Sequence, residues 1–299
     1  MRCITSIDLG SNSFRVLKYN LTTNSSVADF ETAVGTADGL AKTGNVSQDT
    51  LVRIITAIKQ SIKIVNYNPK DAIAVTTQAL RVAKNSKEIL QAIEDKTDIK
   101  FTIIDGEQEA KLTLKAIQYA LKREQLKDDN FVLLDIGGGS TELVISKNNQ
   151  LNLKSFPYGI VTLSQSKDKQ KDLKNLKQEV LNFLNNSNID IENSYFISTA
   201  GTPTTVAALK HQLNYKTYDK KIVNGTKVTL KDLDILSEKL KKLSKEQLEI
   251  EVGSGRGDYI TTGFDIFKLF FKTLKKRYSI VFDDGLREGV AIEAYEKSI

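Results

Sequence analysis

Residues 131–147 read FVLLDIGGGSTELVISK, and this stretch decides the fold. Two short apolar runs flank a cluster of glycines and hydroxyls, which predicts a β-hairpin. Glycines leave the backbone bare, so the N–H groups of the turn could close on a phosphate. A plain glycine-rich hairpin with surface acids is the alternative. The phosphate ligands predicted from this turn are Gly137, Gly138, Gly139, Ser140 and Thr141.

Two carboxylates flank the same turn. Asp135 ends the first apolar run and Glu142 opens the second. They would repel a phosphate unless a cation lies between the charges. A hard divalent ion such as Mg²⁺, held by carboxylates and phosphate oxygens, resolves that conflict. Asp135 and Glu142 are therefore predicted metal ligands, and Mg²⁺ is the predicted cofactor.

The pattern recurs at the N-terminus, where a short apolar run leads into DLGSNS at residues 8–13. Both stretches read Asp-x-Gly-x-x-Ser, and their aspartates are 135 − 8 = 127 residues apart. A period of that length favours a duplicated domain over a solenoid, although coincidence is the alternative for so short a match. The repeat adds Asp8 to the predicted metal ligands. It adds Ser11, Asn12 and Ser13 to the predicted phosphate ligands.

Composition excludes several classes of protein. With 299 residues, 40% hydrophobic and 27% charged, the chain suits two soluble domains of ordinary size. No apolar run is long enough to span a membrane, and the first residues lack the pattern of a signal peptide. Cys3 is the sole cysteine, so we expect no internal disulfide and a cytoplasmic location. One cysteine and one histidine make a zinc site of the usual ligands implausible.

A net charge of +6 favours acidic ligands in general. Most lysines lie on helices that we expect to face solvent, so we predict no nucleic-acid binding. Arginines are more informative, because a guanidinium grips phosphate oxygens with two bonds. Arg15, Arg81 and Arg256 each lie in or beside a glycine- or hydroxyl-bearing segment and are predicted phosphate ligands, although structural ion pairs are the alternative.

Two predicted helix starts carry further candidates. Residues 105–109, DGEQE, open a long helix directly after a strand, at the kind of corner where α/β sheets gather ligand groups. Complementing the helix dipole explains one acid there but less readily explains three. Residues 200–205, AGTPTT, predict a second such start, with Gly201 and Thr202 as phosphate ligands, Thr202 as cap and Pro203 at the first helical position. An ordinary capped helix is the alternative.

Strands and helices alternate along the chain, which predicts an α/β fold of two domains with mixed sheets and an interdomain cleft for the ligand. We place the domains at residues 1–124 and 125–299, joined by the polar segment 122–130. The last helix, about residues 285–299, is expected to cross back to the first domain. We expect strands at 150–156 and 159–163, and a flexible loop at 253–258 before a long apolar helix.

These motifs resemble the exopolyphosphatase and guanosine pentaphosphate phosphatase family, which is part of the superfamily of actin, sugar kinases and the seventy-kilodalton chaperones. The matching segments occur in the family's order and cover nearly the whole chain. They are IDLGSNSFR at 7–15, TTQALRVAKN at 76–85, IIDGEQEA at 103–110, LLDIGGGSTELVI at 133–145, STAGTPTTVAAL at 198–209 and DDGLREGV at 283–290.

The resemblance implies two ribonuclease H-like (actin-like) domains and hydrolysis of a terminal phosphoryl group. By this analogy Glu109 is the carboxylate that activates water, Asp135 and Glu142 support the metal and phosphates, and Asp8 assists. Such chemistry requires positioning and charge neutralisation more than covalent catalysis. The chain resembles the short, two-domain form of the family. Its GRGDYI segment at 255–260 departs from the acidic-arginine version expected there, which weakens the role of Arg256.

The motifs leave the substrate open between inorganic polyphosphate and guanosine pentaphosphate, and they leave a homodimer open. An ATP-dependent kinase of the same superfamily is one alternative, but the sequence shows no sign of an acceptor pocket. A non-catalytic sensor of alarmones or nucleotides is another. The acid at Glu109 argues against a sensor, because pure binding gains nothing from a carboxylate aimed at phosphate.

Overall fold

The computed structural model describes residues 3–20, 22–23, 25–127, 129–148, 150–253 and 255–297. Contacts divide the chain into two compact units. The first comprises Met1–Ala116 with Leu286–Ile299, and the second comprises Ile117–Gly285. The domain boundary that we placed at residue 124 stays a prediction, since a contact division need not coincide with a domain boundary. The candidate loop residue Ser254 lies outside the described residues.

In the described part of the first unit, five strands form a mixed sheet in the order β3-β2-β1-β4-β5. The first three are antiparallel neighbours, whereas β4 and β5 run parallel to β1. The strands are β1 (Cys3–Leu9), β2 (Ser13–Asn20), β3 (Ser25–Ala33), β4 (Ile73–Thr76) and β5 (Phe101–Ile103). The carboxyl ends of β1, β4 and β5 therefore lie along one edge of this sheet.

The helices fill the connections between strands. They are α1 (Leu40–Thr43), α2 (Gln48–Ser61), α3 (Gln78–Val82), α4 (Ser86–Thr97), α5 (Gly106–Arg123), α6 (Ile160–Ser164), α7 (Lys169–Ser187), α8 (Gly201–Lys210), α9 (Lys220–Val223), α10 (Leu230–Lys241), α11 (Lys245–Val252), α12 (Gly257–Leu274) and α13 (Leu286–Glu296). A π-helical turn at Ile62–Asn66 extends α2, and short 3-10 turns occupy Pro69–Asp71 and Tyr215–Thr217. None of the helices in the described residues is long and apolar enough to cross a membrane.

Six described strands form the mixed sheet of the second unit, in the order β10-β11-β9-β6-β7-β8. They are β6 (Asn130–Ile136), β7 (Thr141–Lys147), β8 (Gln150–Phe156), β9 (Tyr195–Thr199), β10 (Thr226–Thr229) and β11 (Tyr278–Val281). Read from β8 to β11, five of them repeat the order and directions of the first sheet. Two mixed sheets with helices confirm the α/β prediction.

The core of the second unit is rich in phenylalanine. Helix α12 is apolar on its inner face because aromatic residues recur at helical spacing, and Phe267 and Phe271 pack on Phe196 of β9. The ring centroids of Phe196 and Phe271 are 5.1 Å apart in an edge-on arrangement, which suits the quadrupoles of the two rings. Helix α12 thus packs on one face of the second sheet and supports β9 and β6, the strands that lead into the candidate site.

Three local predictions were wrong. Residues 159–163 form no strand: Gly159 caps helix α6 and residues 160–163 lie in it, because Gly159 lies against the backbone of Gly138 and the chain turns there. Helix α8 already begins at Gly201, so Ala200 occupies the N-cap position and Thr202 does not cap. Pro203 is accordingly the third helical residue, not the first.

Candidate functional site

The turn that joins β6 to β7 is the most elaborate of the predicted features. We call residues 137–140 the glycine loop. It is closed by a bond from the Gly137 N–H to the Ser140 carbonyl, 3.0 Å long. The strand register then places Asp135 directly opposite Glu142. Directly opposed residues project from the same face of a sheet, so the two carboxylates are side-chain neighbours.

The two acids are buried, and the next strand supplies a polar neighbour to Glu142. Asp135 and Glu142 are 8% and 1% exposed. Ser155 on β8 lies opposite Glu142, and its hydroxyl donates to Glu142 Oε1 at 2.7 Å. The row across the sheet is thus acid, acid, hydroxyl. Two neighbouring buried carboxylates repel each other, so this row suits a bound cation.

Carbonyl groups of the glycine loop point toward helix α6. Each of residues 137–139 accepts a hydrogen bond from the start of that helix. The donors are the N–H of Ile160 to Gly137 at 3.0 Å, the N–H of Val161 to Gly138 at 2.8 Å, and the hydroxyl of Thr162 to Gly139 at 3.1 Å. In a trans peptide unit the carbonyl and the following N–H point in opposite directions. The N–H groups of residues 138–140 therefore face away from α6, as a phosphate cradle requires.

The N-terminal hairpin has the same kind of loop, but its carbonyls bond to the segment that follows β3 and not to a helix. We call residues 10–13 the N-terminal loop, which is closed by a 2.9 Å bond from the Gly10 N–H to the Ser13 carbonyl. The carbonyls of Ser11 and Asn12 accept hydrogen bonds from residues 34–37, at 2.8 to 3.0 Å. The same peptide geometry turns the N–H groups of Asn12 and Ser13 the opposite way. The N–H groups of Asn12 and Ser13 are thus arranged like those of the glycine loop.

The row of side chains beside the N-terminal loop differs from its counterpart. Asp8 lies opposite Arg15, and Arg15 lies opposite Glu31 on β3. Arg15 Nε and Glu31 Oε1 are 3.1 Å apart, and both side chains are about one quarter exposed at 23% and 24%. The predicted phosphate ligand Arg15 therefore forms an ion pair within its own sheet.

Arg81 lies on helix α3, which follows β4. Its Nη1 donates to the carbonyl of Ile104 at 2.6 Å, and its Nη2 donates to the Gln78 side chain. Ile104 immediately precedes the turn into α5. Arg81 thus braces the segment that carries the predicted catalytic acid, and it lies at the same sheet edge as the end of β1.

The three acids at the start of α5 have different surroundings. Asp105 Oδ1 accepts the Gln108 N–H at 2.8 Å and so caps the helix. Glu107 is exposed and pairs with Lys111 at 2.6 Å, and this hydrogen bond raises the pKa of Lys111. Glu109 is 9% exposed. Capping and dipole effects account for Asp105 and Glu107, whereas Glu109 is a carboxylate buried in the first turn.

The remaining predicted ligands lie in the second unit. Gly201 opens α8 after β9, and the Thr202 hydroxyl is buried against Gly263 of α12, where an added Cβ would come within 2.2 Å of it. The Thr141 hydroxyl donates to the carbonyl of Tyr158 at 2.6 Å. Arg256 stands at the N-cap of α12, with its guanidinium 5.6 Å from the ring centroid of Tyr215. Their roles toward phosphate stay predictions.

Sequence reasoning missed two features of the site. Ser155 could have been found by extending the hairpin register from Glu142 into the following strand. The second is a repeat of Asp-Gly-x-x-Glu, which ends in Glu109 after β5 and in Glu288 after β11. Asp135 and Glu142 fit a Mg²⁺ ion chemically, although no group of three or more His, Cys, Asp or Glu residues suited to a metal occurs in the described ranges.

Comparison with known proteins decides the family. The pattern of the Ppx/GppA phosphatase family matches residues 24–298, most of the chain. The chain belongs to this family. Membership confirms the predicted resemblance and supports a hydrolase that acts on phosphate compounds.

Solved members of the Ppx/GppA family share the fold. A family member from Aquifex aeolicus is 26% identical, with a TM-score of 0.74, and the alignment covers 99% of this chain and 98% of the other. An exopolyphosphatase from Cytophaga hutchinsonii is 22% identical with a TM-score of 0.83, covering 99% and 98%. These likenesses confirm the two-domain actin-like prediction.

A curated relative is longer than this chain. The bifunctional 3-dehydroquinate synthase/phosphatase of Fusobacterium nucleatum subsp. nucleatum is 25% identical over 312 aligned residues. The alignment covers 97% of this Ppx/GppA chain but 46% of that relative. Less than half of the relative's length is therefore represented here.

Proposed function

We propose that this protein hydrolyses the terminal phosphoanhydride bond of a phosphate chain, either inorganic polyphosphate or the 5′-triphosphate of guanosine pentaphosphate. The observation that carries the proposal is the backbone of the glycine loop. Three successive carbonyls bond to α6, so three successive N–H groups face the other way beside two buried carboxylates. Backbone N–H groups of this kind bind phosphate oxygens, and the adjacent acids suit a divalent cation.

Each group then has a role. The N–H groups of residues 138–140 bind oxygens of one phosphoryl group, and those of residues 12–13 bind oxygens of another. Asp135 and Glu142 would hold Mg²⁺, with Asp8 in support, and the ion would neutralise charge that develops on the phosphoryl oxygens. Arg15 and Arg81 add positive charge at the edge of the first sheet.

Glu109 is the proposed general base. Glu109 is buried in the first turn of α5. This distinguishes it from Asp105, which caps the helix, and from Glu107, which is exposed and pairs with Lys111. It takes a proton from the attacking water as the water's oxygen bonds to the terminal phosphorus. The bond from that phosphorus to the bridging oxygen breaks, and inorganic phosphate leaves. A carboxylate base of this kind typically contributes about 10²–10⁴ in rate.

The deciding experiment measures release of inorganic phosphate, with Mg²⁺ present, from three compounds in parallel: long-chain polyphosphate, guanosine pentaphosphate and ATP. We expect release from polyphosphate, from guanosine pentaphosphate, or from both, and little from ATP. Binding of guanosine pentaphosphate without release would favour a sensor, and transfer of phosphate from ATP to an acceptor would favour a kinase. Either of these results would overturn the proposal.

A further inference from the structure

The chain passes between the two units at two places. One lies inside helix α5, between Ala116 and Ile117, and the other lies between Gly285 and Leu286. On the second-unit side, an ion pair joins the two passages. Arg123 is the last residue of α5, and Asp284 directly precedes Gly285. The bonds from Nη1 to Oδ1 and from Nη2 to Oδ2 are 2.9 and 2.7 Å.

Two parallel bonds of this kind fix both the distance and the relative angle of the two groups. Asp284 is itself held in place, with a side chain that is 12% exposed. Its carbonyl accepts the Thr199 hydroxyl at 2.7 Å, and the Asn224 amide lies 3.4 Å from its Oδ2. Asn224 also accepts the N–H of Asp283 at 2.7 Å. Arg123 is thus bound to a residue of the loop after β11 that is itself hydrogen-bonded to Thr199 of β9.

Helices α5 and α13 also contact each other within the first unit. Gly289 of α13 lies so close to α5 that a Cβ there would be 2.0 Å from the carbonyl oxygen of Leu112. Lys115 of α5 and Glu296 of α13 form an ion pair at 2.7 Å. Helices α5 and α13 therefore pack against each other in the first unit, while Arg123 and Asp284 connect the adjoining chain segments in the second.

We propose that Arg123 and Asp284 are a positioning pair for the hydrolysis, a role that rests on the function proposed above. In this role they act through helix α5 and not on the substrate. They fix the carboxyl end of the helix whose first turn holds Glu109. Arg123 and Glu109 are about 21 Å apart along a stiff helix, so a tilt of about 5° at one end displaces the other by about 2 Å. Misplacement of a catalytic group by about 1 Å can cost about a hundredfold in rate.

The test compares Arg123→Gln, Asp284→Asn and the double variant with wild type, using polyphosphate and Mg²⁺. Lys210→Gln is the matched control, because it removes another second-unit ion pair, to Asp232 at 2.8 Å. We expect kcat to fall about tenfold in each single variant while KM changes less than about twofold. The double variant should be no slower than the worse single variant, since both changes remove one interaction. Arg123→Lys, which keeps the charge but loses one bond, should be intermediate.

Amide hydrogen exchange on the full chain supplies a readout that needs no activity. Arg123→Gln should speed exchange at residues 117–123 and 284–290, and Lys210→Gln should not. Unchanged exchange in Arg123→Gln, or a fall in kcat no larger than that of the control, would overturn the pair's role. A rise in KM at constant kcat would also overturn it. Failure of the wild-type protein to release phosphate would instead overturn the proposed function, and the exchange result would still decide whether the pair holds α5.

Discussion

The two hairpins have the same architecture. Their strands occupy corresponding places in sheets of corresponding order, and each turn is closed by one bond, 2.9 Å at Gly10 and 3.0 Å at Gly137. Each loop also has its carbonyls bonded to a segment that follows the third strand. Such detailed agreement in backbone geometry indicates a duplicated unit, and makes coincidence in the sequence repeat a poor explanation.

What differs is the side chain opposite the aspartate. The first sheet has Arg15 between Asp8 and Glu31, so a cation is built into the row. The second has Glu142 in the corresponding place, next to Asp135, with Ser155 beyond it. The first row therefore contains an arginine between two acids, whereas the second contains two acids and a hydroxyl. The same backbone arrangement thus carries two rows of side chains that differ in their charged residues.

A second difference lies at the helix that follows the last parallel strand of each sheet. Glu288 is buried beside Arg287, and their side chains are 3.0 Å apart. The corresponding residue, Glu109, follows the neutral Gln108. The two corresponding acids of the duplicated units therefore follow different neighbours, a cation before Glu288 and an amide before Glu109.

The largest effect is expected at Glu109. Glu109→Gln keeps the shape of the side chain but removes its ability to accept a proton, so turnover should fall at least about a hundredfold with near-normal affinity for polyphosphate. Steady-state phosphate release and a binding assay check this. Glu107→Gln is the control and should be mild. Wild-type turnover in Glu109→Gln with loss in Glu107→Gln would show that the wrong acid was assigned, and wild-type turnover in both would reject the mechanism.

The next effect tests the charge of the second row. We expect activity to depend strictly on a divalent ion, and Glu142→Gln to raise the Mg²⁺ concentration for half-maximal activity by at least about tenfold. Ser155→Ala should shift it less, because it removes one supporting hydrogen bond. Glu31→Gln in the corresponding row is the control and should leave the Mg²⁺ requirement unchanged. Full activity after thorough chelation would contradict this assignment.

A smaller effect is expected at the arginines of the first unit. Arg15→Lys and Arg81→Lys keep the charge but lose the planar fork, so each should lower turnover by roughly fivefold to tenfold. Arg277→Lys, at an exposed position in the second unit, should have no effect. Rates equal to that of the control would show that Arg15 and Arg81 serve the fold alone, through Glu31 and Ile104.

The smallest effect is on the free energy of unfolding. It depends on how closely the chain packs around each of the two loops. A Cβ at Gly159 would lie 2.4 Å from the Gly138 backbone, whereas a Cβ at Gly10 would lie 3.5 Å from its nearest neighbour, the Ser13 carbonyl. Gly159→Ala should therefore cost about 1–3 kcal/mol in unfolding free energy. Gly10→Ala should stay within about 0.5 kcal/mol. Chemical denaturation measures both, and equal costs would mean that α6 does not depend on close contact with the glycine loop.

The sequence predicted the hairpins well because their signals are local. Glycines between short apolar runs determine a turn, and a four-residue loop between Ile136 and Thr141 then places Asp135 opposite Glu142. It predicted residues 159–163 as a strand because Ile160, Val161 and Thr162 are β-branched and favour strands. The contact of Gly159 with the glycine loop, which turns these residues into α6, is a tertiary interaction that no local pattern contains.

The candidate site was predictable to the extent that chemistry follows residue type. Acids, glycines and hydroxyls in close spacing indicated phosphate and a metal, but their individual surroundings were not visible. The pairing of Arg15 with Glu31 depends on the third strand, and the exposure that separates Glu107 from Glu109 depends on how α5 packs. Arg123 and Asp284 lie 161 positions apart, beyond the reach of any local pattern.

The backing of the two loops by their own chain has a consequence for a polymeric substrate. Ordering one residue's backbone costs about 1–2 kcal/mol, and for residues 10–13 and 137–140 that entropy is lost when the protein folds. A phosphate group could then bind to either preorganised loop without a fresh ordering step. Peptide N–H groups also carry no proton that titrates near neutrality. The loop N–H groups themselves should accordingly keep the same charge state across the neutral pH range.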